Sequence, residues 1–156
     1  PMPLLRAALS WNFVLATAIC ASLLAQLIKV LLNLFIFHRF IAERMWGAGG
    51  MPSSHSATVC AMVVATGRYC GVNSPLFAIA AVLSIIVMYD AMGVRYETGE
   101  QAKVLNRMFT EWMDQGFEQF QLPHGKKLKE MVGHTPIEVV TGAALGIVLG
   151  FAMPMV

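Results

Sequence analysis

Charge is what this chain has least of. Asp, Glu, Lys and Arg make up 13% of the sequence, well under the about 25% of an ordinary soluble domain. Net charge is only +2, so the broad basic footprint of a nucleic-acid binder is missing. The three cysteines, Cys20, Cys60 and Cys70, are scattered and form neither a disulfide framework nor a metal-type pair. They read as fillers of helix packing. There is no internal repeat and no low-complexity segment. What fills the chain instead is hydrocarbon: 57% of residues are hydrophobic. These proportions predict an all-α fold, a polytopic integral-membrane helix bundle in a single domain covering 1–156, in contact with membrane lipids.

Length and hydropathy place about four spans, near 8–37, 55–70, 75–92 and 136–153, since about 20 apolar residues cross a bilayer. The first apolar run is too long for a signal-peptide core and is expected to be a permanent span. The second and third are short, which implies a thin or tightly packed bundle. Gly71-Val72-Asn73-Ser74-Pro75 forms the turn between them. In the fourth, Gly142, Gly146 and Gly150 recur every fourth residue, a small-residue face suited to close helix contact. Thr135-Pro136-Ile137-Glu138 before it is a capping box with proline at the first helical position.

Between the third and fourth spans lies a polar stretch with helical periodicity. Val104, Leu105, Met108, Phe109, Trp112, Met113, Phe117 and Phe120 recur at three- and four-residue steps, opposite Lys103, Arg107, Glu111, Asp114 and Glu118. An amphipathic helix is predicted over about 100–121, lying on the membrane or against the bundle. Pro123-His124-Gly125 breaks it, and the basic run at Lys126, Lys127 and Lys129 leads to the last span.

The polar residues that remain gather at one membrane edge. Gly49-Gly50-Met51-Pro52-Ser53-Ser54-His55-Ser56-Ala57 is a glycine turn, a Pro-Ser-Ser-His knuckle and a helix start. A helix N-terminus suits an anion, and phosphate is the usual one. A histidine in the same turn can pass a proton near neutral pH. Asp90 and Arg95 end the third span, and Gly133-His134 precedes the fourth. Lys29, three residues after Gln26 and on its face, approaches from the first span, with Arg39 beyond it. Two readings of Lys29 stand. A lysine inside a span is a functional candidate, and a lysine about two turns from a helix end can snorkel to the interface. Asp90 reads best as a buried structural partner of Lys29 or Arg95. Two histidines, several cations and two helix N-termini are what phosphoryl transfer through a histidine requires.

Pro52-Ser53-Ser54-His55 resembles the Pro-Ser-Gly-His motif of the type 2 phosphatidic acid phosphatase superfamily, which shares its site with acid phosphatases and vanadium-dependent haloperoxidases. Together with Asp90-Ala91-Met92-Gly93-Val94-Arg95 and Gly133-His134-Thr135-Pro136-Ile137-Glu138-Val139, it looks like that superfamily's small divergent branch. The resemblance runs from Gln26 to Gly146 and implies a membrane phosphatase that uses no metal or other cofactor. It implies His134 as the nucleophile that forms phosphohistidine, His55 as the general acid and Glu138 as the carboxylate that orients His134. Lys29, Arg39, Ser53, Ser54 and Arg95 are implied as phosphate-binding groups, and the substrate as a phosphorylated lipid or isoprenoid. The chain also departs from the pattern. Ser54 stands in place of a glycine, Tyr96 in place of a second arginine, and Glu138 in place of an aspartate. Arg39 lies further along than usual without a following proline, and the whole amphipathic segment separates Arg95 from His134. Four spans, where six are common, imply a stripped core or one completed by a second copy as a homodimer.

Those departures motivate a second reading, a non-catalytic phospholipid head-group binder or transport protein that keeps the phosphatase fold. A third class, the metal-dependent phosphoalcohol transferases, needs several carboxylates on facing turns for two Mg²⁺. Beside Asp90 only Glu97 and Glu100 are near. For topology, Arg39, Arg44, Arg95, Lys103, Arg107, Lys126, Lys127 and Lys129 fall on the side of the histidines, against Arg6 and Arg68 on the other. The positive-inside rule then faces the site to the cytoplasm, with both termini outside.

Overall fold

A computed structural model of the chain describes residues 12–37, 50–114, 128, 130 and 132–155. Among these the fold is all-helical: α1 (Phe13–Phe37), α2 (Ser54–Cys70), α3 (Pro75–Met92), α4 (Val94–Asp114) and α5 (Pro136–Ala152). Local chemistry sets the helix ends. Ser53 caps α2 by accepting from Ser56 N, and Ser74 caps α3 by accepting from Phe77 N, each in extended backbone. Proline opens both α3 and α5, where its missing N–H costs nothing.

The distribution of side chains is turned inside out relative to a soluble protein. Large apolar side chains such as Leu23, Phe35, Ile79, Ile85, Val140 and Val148 point outward, while the buried set is dominated by Ala, Ser, Thr and Gly. A surface of that kind is stable only against lipid. Two helical stretches, Phe13–Phe35 and the one beginning at Pro75, are long and apolar enough to cross a membrane, and α5 is apolar but shorter.

Helix α2 is the axis of the bundle and packs on α1, α3 and α5. Its small residues let the neighbours come close. Ala57 and Ala61 meet Ala21 and Ala25 of α1. On the other side, a methyl added to Gly142 would fall on the carbonyl of Ser53, one on Gly146 would fall on the carbonyl of Ala57, and one on Gly150 would strike Val64. The glycine stripe therefore places α5 backbone directly on α2 backbone. At the far end, Arg68 Nη1 donates to the carbonyls of Gly150 (2.6 Å), Phe151 (3.1 Å) and Met153 (2.7 Å), closing the C-terminus of α5.

Helix α4 starts at Val94 rather than near residue 100, because only Gly93, with a non-helical φ of −97° and ψ of −95°, separates it from α3. Its expected continuation past Asp114 lies outside the described residues, as do Arg39 and the start of the first span. The return of the chain is fastened to α4 by Asn106. Its Nδ2 donates to Leu128 O (2.9 Å) and Glu130 Oε1 (2.8 Å), and its Oδ1 accepts from Leu128 N (2.9 Å). Gly99 lets the carbonyls of Glu130 and Val132 pass close by. Asn106→Ala is expected to lower stability by about 1–3 kcal/mol, since it strands the Leu128 backbone groups. Thermal unfolding of the detergent-solubilised variant checks this, and an unchanged midpoint would remove Asn106 as the clasp.

Candidate phosphoryl-transfer site

The site forms where α2 and α5 begin and α3 ends. Gly50, at φ +93°, and the cis Met51–Pro52 peptide bring the knuckle up to α2. Ser53 N then donates to the Glu138 carbonyl (3.0 Å), which ties the start of α2 to the first turn of α5. His134 is held from the opposite side, its N–H donating to Ala91 O at the end of α3 (3.0 Å). Gly133, at φ +89°, lies on the Arg95–Tyr96 backbone, where any side chain would collide. The long excursion between Arg95 and His134 is thus closed on itself, and the two motifs end up as neighbours.

His134 is 3% exposed. Its Nδ1 lies 3.2 Å from Glu138 Oε2, one helical turn away, leaving Nε2 as the unengaged nitrogen. The same carboxylate accepts from Thr135 N (3.0 Å) through Oε2 and from Gly50 N (3.2 Å) through Oε1. Glu138 therefore caps α5, anchors the glycine turn and orients the imidazole at once. Burial pushes the His134 imidazole below the ordinary 6.5 of histidine, against the opposing pull of Glu138, with Lys29 and His55 adding to the depression.

The His55 ring faces that of His134, with centroids 6.1 Å apart and planes at 58°. Between them opens a cavity of about 250 Å³ lined by His55, Ile86, Val87, Asp90, Ala91, Arg95 and His134. Lys29 and Arg95 both act electrostatically on His55. Lys29 is 3% exposed, its methylenes against Gly50 and Glu138 within Coulombic reach. This removes the snorkelling reading: the ammonium is held inside the protein beside the histidines. Asp90 Oδ2 pairs with Arg95 Nε at 2.7 Å, but at the cavity rim, with side chains 41% and 51% exposed. The expected burial of that pair is therefore corrected. Asp90 holds Arg95 over the opening, where solvent or head groups screen the pair.

The two serines divide the work. Ser53 is fully buried, and its Oγ accepts from Ser56 N (3.3 Å) and Ser56 Oγ (3.1 Å), which caps α2. Ser54 Oγ accepts a long 3.5 Å bond from Gln26 Nε2. Gly50 and Gly133 escaped the sequence reading as site residues; only a glycine beside each histidine motif hinted at them. Ile86 and Val87 gave no signal beyond belonging to an apolar run.

The profile of the family described as "Divergent PAP2 family" matches residues 10–149. The chain is also 39% identical over 144 residues to a protein of Bacillus subtilis (strain 168) described as "Uncharacterized membrane protein YuiD", an alignment covering 88% of this chain and 91% of that one. No solved structure matches it.

Proposed function

The chain belongs to the Divergent PAP2 family of phosphatase-related membrane proteins, and on that premise we propose that it is a metal-independent phosphatase acting on a lipid or isoprenoid phosphate. The observation that carries this reading is the pair of facing histidines, one braced by Glu138, beside the buried cation Lys29 and below Arg95. Nucleophile, acid and charge-stabilising cations are then all side chains of this protein.

In this reading His134 Nε2 attacks phosphorus while the bond from phosphorus to the ester oxygen breaks. His55 gives its proton to the departing alkoxide, so the alcohol leaves neutral. Lys29 and Arg95 balance the charge on the equatorial oxygens, together with the N–H groups that open α2. His55, now the free base, takes a proton from water, whose oxygen attacks the phosphohistidine; inorganic phosphate departs and both imidazoles are restored. Arg39 is assigned to the same phosphate-binding set from the family pattern. The charge bias supports a site at the cytoplasmic edge of the membrane, read here as a bacterial cell membrane.

Phosphate release by detergent-purified protein, over lipid and soluble phosphate esters, tests the proposal. Release is expected to survive EDTA and to be inhibited by vanadate, which mimics the five-coordinate phosphorus. The pH profile should have an acid limb below 6.5, because the depressed His134 stays unprotonated, and so nucleophilic, as pH falls through the ordinary histidine range. Loss of activity with EDTA would overturn the histidine mechanism. Saturable binding of lipid phosphates by folded protein that releases no phosphate would favour the non-catalytic head-group binder.

A further inference from the structure

Helix α4 has the least support of the helices, since among the described elements it packs on α3 alone. Two residues of the site nevertheless depend on it. Arg95 belongs to its first turn. The chain returning to His134 leans on its backbone: the carbonyls of Glu130 and Val132 pass beside Gly99, and Gly133 lies on Arg95 and Tyr96. Asn106 fastens the same return through Leu128 and Glu130. These contacts use one side of the helix, where Gly99, Ala102 and Asn106 are buried at three- and four-residue steps. The apolar side is a different one. Val94, Val104, Leu105 and Met108 are 65%, 59%, 44% and 40% exposed. On a helical wheel they share about 100° of arc that the buried row does not enter. Glu97 and Gln101 interrupt that arc near its start, and from Val104 onward it is apolar. The third side is charged, and its charges are matched within the helix: Lys103 Nζ to Glu100 Oε1 at 2.6 Å and Arg107 Nε to Glu111 Oε1 at 2.9 Å.

What covers the apolar side follows from where the helix begins. The last turns of α3 face lipid through Ile85, Ile86 and Tyr89, and only Gly93 separates them from Val94. Helix α4 therefore leaves the bundle at the membrane surface, with an exposed apolar residue first. An apolar strip beside a strip of matched charges suits a helix lying in the interface plane, hydrocarbon inward and charge towards water. We propose that the strip of Val94, Val104, Leu105 and Met108 is seated in the lipid surface, and that this seating supports the platform that carries Arg95 and the return to His134. The partner is the boundary of acyl chains and head groups in the bilayer that the protein itself crosses. The inference stands apart from the phosphatase reading, because it concerns what holds these residues and not what they act on.

Photo-crosslinking of the full chain in phosphatidylcholine nanodiscs tests the seating. A benzophenone amino acid replaces Leu105 or Met108 on the apolar side, or Arg107 on the charged side. Irradiation should give lipid adducts at the first two positions, several-fold more than at the third. Adducts to residues 115–127 of the same chain, adducts to a second copy, or lipid yields equal to that at Arg107 would overturn it. The support is read from hydrogen exchange of the His134 amide, which donates to Ala91 O. Leu105→Asp removes a leucine from the strip and should speed that exchange at least about tenfold. Arg107→Ser, at an exposed position on the charged side, should leave it unchanged. Exchange at His134 as slow as in the wild type would overturn the support. So would a rise of equal size throughout α2 and α5, which marks general unfolding.

Discussion

His134→Ala is expected to lower phosphate release by roughly 10⁴-fold or more, the scale on which removal of a covalent nucleophile is felt. Alanine removes the attacking nitrogen and leaves Lys29, Arg95 and the helix N-termini able to bind phosphate, so affinity for a phosphonate should survive. His55→Ala should behave differently. Its cost should be large for an alkyl ester and small for an aryl ester, whose phenolate leaves without a proton. Quenched samples of His134→Ala should carry no acid-labile phosphoenzyme, whereas His55→Ala should accumulate it on the aryl ester. Activity of His134→Ala within tenfold of wild type would end the nucleophile assignment. A penalty for His55→Ala that ignores the leaving group would end the general-acid assignment.

The other large effect is on folding. Gly146 sits where α5 backbone rests on the Ala57 carbonyl of α2, so Gly146→Val has no flexible neighbour to displace. The cost should reach about 3 kcal/mol or more, the upper end for overpacking a tight core. Separating α5 from α2 would also loosen the bond from Ser53 N to the Glu138 carbonyl, and with it the register of the two histidine motifs. Ala144→Val, on the exposed side of α5, is the control and should fold normally. Thermal unfolding and size-exclusion profiles in detergent distinguish them. A Gly146→Val protein as stable as wild type would show that the two helices do not rely on backbone contact.

Much of this was legible in the residues. Ser74-Pro75 and Thr135-Pro136 mark helix starts through local chemistry that tertiary structure does not override. The glycine stripe of α5 announced a close contact, though not its partner. At the site, His55 and His134 could be singled out because a position at a helix start is a local property, whereas the orienting role of Glu138 came only from the family resemblance. Non-local matters were hidden. Nothing around Asn106 tells it from a surface asparagine, yet its amide is what returns the chain to α4. That return explains how Arg95 and His134 meet despite the long intervening segment. Whether Lys29 snorkels or stays inside depends on Gly50 and Glu138 being beside it, and both come from other parts of the chain. Ser53 shows the local part: its hydroxyl oxygen accepts from Ser56 and caps α2, as a serine before a helix does.

The central place of α2 bears on how the protein is made. It carries Ser, Thr and Arg68 and is less apolar than α1, α3 and α5, yet it is the one most surrounded. A segment of that composition partitions poorly into lipid when presented alone, because each polar group at the membrane centre carries its own transfer cost. Its insertion is therefore an assembly step. Helix α1 emerges from the ribosome before α2 and offers Ala21 and Ala25 as a landing surface, and α3 and α5 complete the shelter once they are synthesised. The histidine pair comes into being only when α5, the last of the described helices, closes over α2, so a nascent chain released before α5 holds no assembled pair.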